Sequence, residues 1–177
     1  LNALAAIAVA DHLGLSAAAL SGALETFEGI RRRQEIRGEK RGIVVLDDFA
    51  HHPTAVRETV DAVKSGYPGR RLIAVFEPRT NSSMRKVFQP VYPASFEGAD
   101  RVCIRRPPRL DKVPEAERFS SEELVAELNR RGKAAGFFAG TDQIIDHLAQ
   151  TAAPGDVILV MSNGGFDNIH ERLLASL

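Results

Sequence analysis

Four side chains that could bind a polar ligand stand within six positions, and they are followed by a proline. They are Asp47, Asp48, His51 and His52, before Pro53. Carboxylates and imidazoles bind polar groups and exchange protons near neutral pH. Each also has an ordinary structural use, because an Asp after a strand often caps the next helix and a lone His is usually solvated. Two acids and two imidazoles so close together are harder to explain as caps alone, so we interpret this stretch as a candidate ligand site.

The residues around this stretch predict a strand, a turn and a helix. The apolar run 43–46 is rich in β-branched residues, as expected of a strand buried on both faces. Pro53 suits the first turn of a helix, and Val56, Val60 and Val63 recur at helical spacing. Open α/β sheets bind ligands at the carboxyl ends of their strands, where this turn would lie.

Strands alternate with helices from residue 43 onward. This order predicts a three-layer α/β domain with a mostly parallel sheet of about six strands. A short polar strand is predicted over 35–41. The other predicted strands are 43–48, 71–76, 101–105, 134–138 and 156–161, and the predicted helices are 53–65, 82–92, 121–131, 142–150 and 168–176.

Two further strand ends carry unusual residues. Arg79 and Arg85 flank Asn81 at an expected helix start, where they could grip carboxylates or simply be solvated around a helix cap. Ser162 and Asn163 precede two glycines, which would let the backbone approach a ligand or merely reverse the chain. All three turns follow parallel strands, so we expect one polar rim suited to a multiply charged small molecule. The predicted rim carries Asp48, His51, His52, Arg79, Asn81, Arg85, Ser162 and Asn163.

Composition narrows the classes of function. The 177 residues include 23 basic and 23 acidic side chains, so no net charge favours nucleic acid or a membrane as partner. The single cysteine, Cys103, excludes an internal disulfide and is typical of a reducing compartment such as the cytoplasm. The chain begins at Leu1 within a helical pattern, so we expect it to be part of a longer polypeptide. A helical pair is predicted before residue 28, with too little surface for a core of its own.

Several signatures of nucleotide and metal sites do not occur in the sequence. It has neither a Gly-x-x-x-x-Gly-Lys-Ser/Thr phosphate loop nor a Gly-x-Gly-x-x-Gly turn. The adjacent His51 and His52 lack the spacing of a helical metal pair, so we predict no metal site. Three consecutive arginines, 31–33, could be a solvated run or could hold phosphate.

Three segments together resemble the Mur ligase family. They read Asp-Asp-Phe-Ala-His-His-Pro-Thr at 47–54, Phe-Glu-Pro-Arg at 76–79 and Met-Ser-Asn-Gly-Gly-Phe at 161–166. The opening Asn-Ala-Leu-Ala-Ala resembles the end of a segment of that family's ATPase domain. One departure is visible, since the family often continues with two more glycines where Asp167 and Asn168 stand here.

The resemblance implies a domain plan and an activity. Residues 1–34 would end a central ATPase domain, and 35–177 would form a Rossmann-like C-terminal domain. The full-length protein would form an amide through an acyl phosphate, with ATP and Mg2+ held mainly by the central domain. The Glu-Pro-Arg and Ser-Asn-Gly-Gly segments favour members that join the murein tripeptide, L-alanyl-γ-D-glutamyl-meso-diaminopimelate, to UDP-N-acetylmuramate in peptidoglycan recycling. The fragment alone is predicted to be inactive, with the rest of the same polypeptide as its partner.

The resemblance also implies residue roles. Asn2 would contact adenine, Arg33 the ATP phosphates and Asp48 the ribose, while His51 and His52 would line the cleft between domains. For the carboxylates of the tripeptide we hypothesise a second set of residues. It comprises Arg79, Asn81, Arg85, Ser162 and Asn163.

Three alternatives remain open at this point. The first is a family member that adds L-alanine to UDP-N-acetylmuramate. The second is a non-catalytic, receiver-like binding domain, although a receiver needs an Asp after its third strand and a Lys after its fifth, where Arg105 and Ser162 stand here. The third is the dinucleotide-binding domain of a dehydrogenase, which the missing glycine fingerprint disfavours.

Overall fold

The computed structural model describes residues 2–177, apart from the side chain of Asn2. The chain forms two compact units, of which the first ends at Ile30 and the second runs from Arg31 to Leu177. The predicted domain boundary lies four residues later, between 34 and 35. The second unit begins earlier because Arg32 is already bonded to its strands, as described below.

The first unit consists of two helices. They are α1 (Asn2–His12) and α2 (Ala17–Glu25), and the side chain of Ser16 caps α2 by accepting the Ala19 N–H at 3.2 Å. Helix α2 has no buried residue, and apolar side chains such as Leu13 are exposed. Among the described helices of the whole chain, none is both long enough and apolar enough to span a membrane.

The second unit is built on a six-stranded sheet with the order β1-β2-β6-β3-β4-β5. Strand β1 pairs antiparallel with β2, and the other four pairings are parallel. The predicted fold class and all six predicted strands are therefore confirmed. The strands are β1 (Glu35–Lys40), β2 (Ile43–Asp48), β3 (Leu72–Phe76), β4 (Arg101–Arg105), β5 (Ala134–Phe138) and β6 (Val157–Met161).

Helices cover both faces of the sheet, as predicted. On one face, Val44 and Leu46 join a core with helices α3, α4 and α5, whereas Ile43 and Val45 face α6 and α7. Successive strand residues point to opposite faces, so this alternation also fixes where the two acids at the end of β2 point. The helices are α3 (Pro53–Gly66), α4 (Tyr92–Ser95), α5 (Ser121–Arg130), α6 (Thr141–Thr151) and α7 (Ile169–Ser176).

The predicted helix over 82–92 is wrong. The chain after β3 instead forms a turn in which the Thr80 and Ser83 side chains each accept the other residue's backbone N–H, at 2.9 and 3.1 Å. Arg85 is then extended and forms an isolated bridge with Arg118, and a short 3₁₀ turn spans Lys86–Phe88. Hydroxyl side chains that bond to nearby backbone compete with helix formation, and this explains the error.

The segment after β6 has unusual backbone geometry. Phe166, Asp167 and Asn168 have φ of 45, 51 and 53°, in the left-handed region that glycine adopts most easily. Asp167 and Asn168 are the residues that stand where the family often has glycine. Three non-glycine residues therefore adopt the left-handed conformation here, and the chain continues from them into α7.

Candidate functional site

The three predicted turns lie on neighbouring strands. Asp48, the last residue of β2, is opposite Met161 of β6, and Met161 is opposite Phe76 of β3. All three strands are parallel, so the turns that follow them share one edge of the sheet. The predicted convergence is confirmed, and we refer to this edge as the carboxyl edge.

Asp48 is buried on the face of α3 and is fully engaged inside the protein. One carboxylate oxygen accepts the Ala50 N–H at 2.7 Å and the Thr59 hydroxyl at 3.4 Å. The other accepts the Gln34 N–H at 2.9 Å, which ties the start of the unit to β2. The predicted contact of Asp48 with ribose stays a prediction, and these bonds do not favour it because they already occupy both oxygens.

Asp47 points to the opposite face and holds Arg32. The Asp47 carboxylate lies 3.2 Å from Arg32 Nε, and Arg32 Nη2 donates to the carbonyl oxygens of Ser162 and Gly164 at 2.6 and 2.8 Å. The guanidinium also lies 5.2 Å from the centre of the Phe49 ring. Arg32 therefore fixes the turn after β6 against β2.

A small cavity of about 210 Å³ adjoins this pair, with the buried His170 of α7 in its wall. His170 Nε2 lies 3.4 Å from Asp47 Oδ1, and neither atom has a hydrogen-bond partner among the described residues. Burial alone would raise the pKa of Asp47, but His170 and Arg32 outweigh it and hold the pKa below its ordinary value. Asp47 is therefore held as a carboxylate that orients Arg32.

Glu77 is fully buried at the end of β3 and organises the next part of the edge. Its carboxylate pairs with Arg105 and accepts the Ser162 hydroxyl at 2.6 Å. Arg105 Nη2 also lies 2.6 Å from the carboxylate of Asp167, in the left-handed segment. The guanidinium lies 5.4 Å from the centre of the Phe166 ring. A buried carboxylate is tolerated here because every neighbour donates to it or neutralises it.

Arg79 is only loosely held by the acids of the edge. Its nearest acid is Glu77 at 3.8 Å, and a third of the side chain is exposed. The side chain crosses the backbone of Gly164 so closely that a Cβ there would lie 2.5 Å from Arg79 Cδ. In the residue before Gly164, Asn163 Oδ1 is buried without a hydrogen-bond partner among the described residues. Arg79 is the accessible group here, because its guanidinium forms no hydrogen bond with the described residues.

Asn81 and Arg85 are brought together beside an open hollow. Arg85 Nε donates to Asn81 Oδ1 at 3.3 Å, and Arg85 Nη1 pairs with Glu117. The hollow has a volume of about 570 Å³, and Thr80 and Val87 also line it.

The remaining predicted residues are placed separately. His51 is half-buried, with Nδ1 2.9 Å from the Phe49 carbonyl oxygen, whereas His52 is exposed and lies edge-to-face with Phe88. Arg33 is exposed and forms no hydrogen bond or ion pair with the residues that the structure describes. Asn2 opens α1, but its side chain lies outside the described residues.

Five residues that build the edge were not among those predicted for the polar rim or for the ligand contacts. They are Arg32, Asp47, Glu77, Arg105 and His170. One signal for Asp47 was present, because adjacent strand residues must face opposite sides and a buried acid there needs its own partner. Nothing in the local sequence shows that Arg105 reaches Glu77 or that His170 reaches Asp47. The described residues contain no group of three or more metal-ligating side chains arranged around one point.

Comparison with known proteins identifies the family. The family model described as "Mur ligase, glutamate ligase domain" matches residues 32–164, which is most of the chain. The chain belongs to the Mur ligase family. The matched region contains the first two turns of the carboxyl edge and ends at Gly164 in the third. The receiver and dehydrogenase alternatives are thereby set aside.

Relatives of this Mur ligase domain include both predicted kinds of enzyme. It is 40% identical over 178 residues to the UDP-N-acetylmuramate–L-alanyl-γ-D-glutamyl-meso-2,6-diaminoheptandioate ligase of Escherichia coli, covering 99% of the chain and 36% of that protein. It is 33% identical to a UDP-N-acetylmuramate–L-alanine ligase of Desulfitobacterium hafniense, over 98% of the chain and 38% of the relative. The chain therefore spans little more than a third of the curated relatives it matches.

A solved relative supports the same assignment. The murein peptide ligase of Psychrobacter arcticus matches with a TM-score of 0.74 and 37% identity, over 99% of this chain and 36% of that one. The greater identity to tripeptide-type enzymes agrees with the Glu-Pro-Arg and Ser-Asn-Gly-Gly segments.

Proposed function

We propose that the chain is the peptide-binding, C-terminal part of an ATP-dependent ligase that joins the murein tripeptide to UDP-N-acetylmuramate in peptidoglycan recycling. Greater identity to the Escherichia coli tripeptide enzyme than to the alanine ligase supports this choice. We place the reaction in the bacterial cytoplasm. Residues 1–34 would belong to the central ATPase domain, so the chain alone is expected to show no ATP turnover.

The observation that carries the proposal is the state of Arg79. It stands at the shared carboxyl edge, partly exposed, with only a 3.8 Å approach to one acid that Arg105 already neutralises. A guanidinium with unused donors binds carboxylates in a bidentate manner. A peptide with a free terminal carboxylate presents such a group to Arg79.

ATP fits the described residues only in part. Arg33 is exposed and has no ion-pair partner among the described residues, so its guanidinium is available to the ATP phosphates. The carboxylate oxygens of Asp48, proposed to contact the ribose, already accept hydrogen bonds from the protein. ATP would supply the phosphoryl group that activates the lactyl carboxylate of UDP-N-acetylmuramate. The described residues offer no set of Mg2+ ligands, so that ion would be bound by the rest of the polypeptide. The domain's own contribution is to position the peptide and to neutralise its charge.

The test uses the full-length enzyme with UDP-N-acetylmuramate, ATP and either the tripeptide or L-alanine. Preferential, ATP-dependent formation of the tripeptide product is expected, measured by phosphate release and mass spectrometry. Preference for L-alanine would favour the alanine-adding alternative. In the same enzyme, Arg79→Ala should raise the KM for peptide and leave the KM for ATP unchanged. The opposite pattern would remove Arg79 from the peptide site.

A further inference from the structure

The insertion between β4 and α5 reaches the carboxyl edge at a defined place. Phe119 donates its N–H to the Met84 carbonyl oxygen at 2.9 Å, and Arg118 forms a backbone bridge with Arg85. These contacts bring Glu117, from the insertion, onto the side chain of Arg85. An acid from a separate segment thus pairs with Arg85, which lines the open hollow.

The resulting ion pair is accessible and easily opened. Side-chain exposure is 34% for Arg85 and 55% for Glu117, so solvent screens their attraction. Arg118 does not compete strongly for Glu117, because its Nε donates to the Val113 carbonyl oxygen at 2.9 Å. Asn81 holds the other side of Arg85 at 3.3 Å and keeps the guanidinium at the hollow.

An accessible Arg–Glu pair is the electrostatic complement of a zwitterion. A ligand group that carries both a carboxylate and an ammonium can replace each partner of the pair, so neither side chain loses its counter-charge. A group with one charge leaves one protein charge unpaired, and this unpaired charge reduces its affinity.

We propose that Arg85 and Glu117 together determine acceptor specificity by binding the zwitterionic far end of the peptide, where Arg85 takes the carboxylate and Glu117 the ammonium. This assignment rests on the proposed function. It deepens that function by adding Glu117, which lies outside the three strand-end turns. In the murein tripeptide, the matching group is the second amino-acid centre of meso-diaminopimelate.

The experiment measures dissociation constants of three peptides with the full-length protein by calorimetry. All begin with L-alanyl-γ-D-glutamyl and end in meso-diaminopimelate (both charges), 2-aminopimelate (carboxylate only) or L-lysine (ammonium only). The wild type should bind the meso-diaminopimelate peptide about tenfold more tightly than either of the other two peptides. The reason is that each missing charge removes one charge-assisted hydrogen bond. Glu117→Gln should abolish the preference for the meso-diaminopimelate peptide over the 2-aminopimelate peptide, but keep its preference over the lysine peptide. Arg85→Gln should abolish the preference over the lysine peptide, but keep the preference over the 2-aminopimelate peptide.

A control uses an Arg–Glu pair away from the hollow. Glu127 of α5 pairs at 2.6 Å with Arg131, the residue after that helix, and Glu127→Gln should keep all three affinity ratios. If Glu117→Gln and Arg85→Gln weaken the three peptides equally, the pair only anchors the insertion and the inference is wrong. A wild type that ligates the tripeptide but binds all three peptides alike overturns the inference and leaves the proposed function intact. A wild type that neither ligates the tripeptide nor binds any of the three peptides overturns both.

Discussion

Replacing Arg32 with Met should destabilise the second unit by about 3 kcal/mol. The variant loses two hydrogen bonds to the Ser162 and Gly164 carbonyls and the 3.2 Å contact with Asp47, leaving a buried carboxylate with fewer partners. Methionine keeps most of the apolar stem, so the loss is mainly electrostatic. For a chain of this length, such a change lowers Tm by roughly 6–12 °C.

Urea denaturation of the 177-residue chain measures the effect, and the adjacent Arg33 supplies the control. Arg33 is exposed and unpaired among the described residues, so Arg33→Met should change the free energy of unfolding by no more than about 0.5 kcal/mol. Equal losses in the two variants would refute the assignment of Arg32 as the residue that fixes the turn after β6.

The deficit of Arg32→Met should also depend on pH. Burial alone would raise the pKa of Asp47, but His170 and Arg32 lower it overall. The Asp47 carboxylate therefore stabilises the folded state at pH values above the ordinary aspartate pKa. That contribution is lost as the pH falls through the folded-state pKa, which lies below the ordinary aspartate value. The difference between wild type and variant should therefore be largest near neutral pH and shrink in acid. A difference that stays constant down to the lowest pH at which wild type remains folded would contradict this reasoning.

Three further predictions concern single positions. Gly164→Ala should raise the peptide KM of the full-length enzyme several-fold, because its Cβ would displace Arg79, whereas Gly165→Ala, with no atom within 4 Å of its Cβ, should not. Asn168→Val should lower the free energy of unfolding by about 1–2 kcal/mol, because a β-branched residue is strained in the left-handed backbone at this position. Asn168→Gly should leave it nearly unchanged in the same urea denaturation. Equal losses in the two variants would exclude backbone strain as the cause. Cys103 is buried, and burial raises the pKa of its thiol to about 12. At pH 8 a thiol reagent should therefore modify Cys103 only as fast as the chain unfolds. Rapid labelling of the native protein would contradict the burial of Cys103.

The sheet was predictable because its strands depend on local patterns. Apolar runs bounded by turn residues located all six strands, and the parallel order placed three polar turns on one edge. The error at 82–92 has a local cause too, since Thr80 and Ser83 bond to each other's backbone instead of starting a helix.

The charged partners of the edge were not predictable because they are distant in the sequence. Arg32 contacts a carbonyl 132 positions later, at Gly164, and Glu77 pairs with Arg105, 28 positions away. The order of the strands and the placement of the helices bring these charged residues together. No local pattern in a single sequence shows such contacts. The predicted ligand contacts of Asn2, Arg33 and Arg79 likewise stay predictions until a ligand is bound.

The position of β6 has a consequence for how the chain is made. It is the last of the six strands in sequence, yet it lies between β2 and β3 and is bonded to both. A nascent polypeptide that ends before residue 157 holds a two-stranded hairpin and a three-stranded fragment with no strand pairing between them, and each exposes an unpaired apolar strand. During translation these fragments are open to association with other chains until the final strand emerges. We therefore expect premature termination just before β6 to yield insoluble protein, whereas full-length synthesis closes the sheet in a single late step.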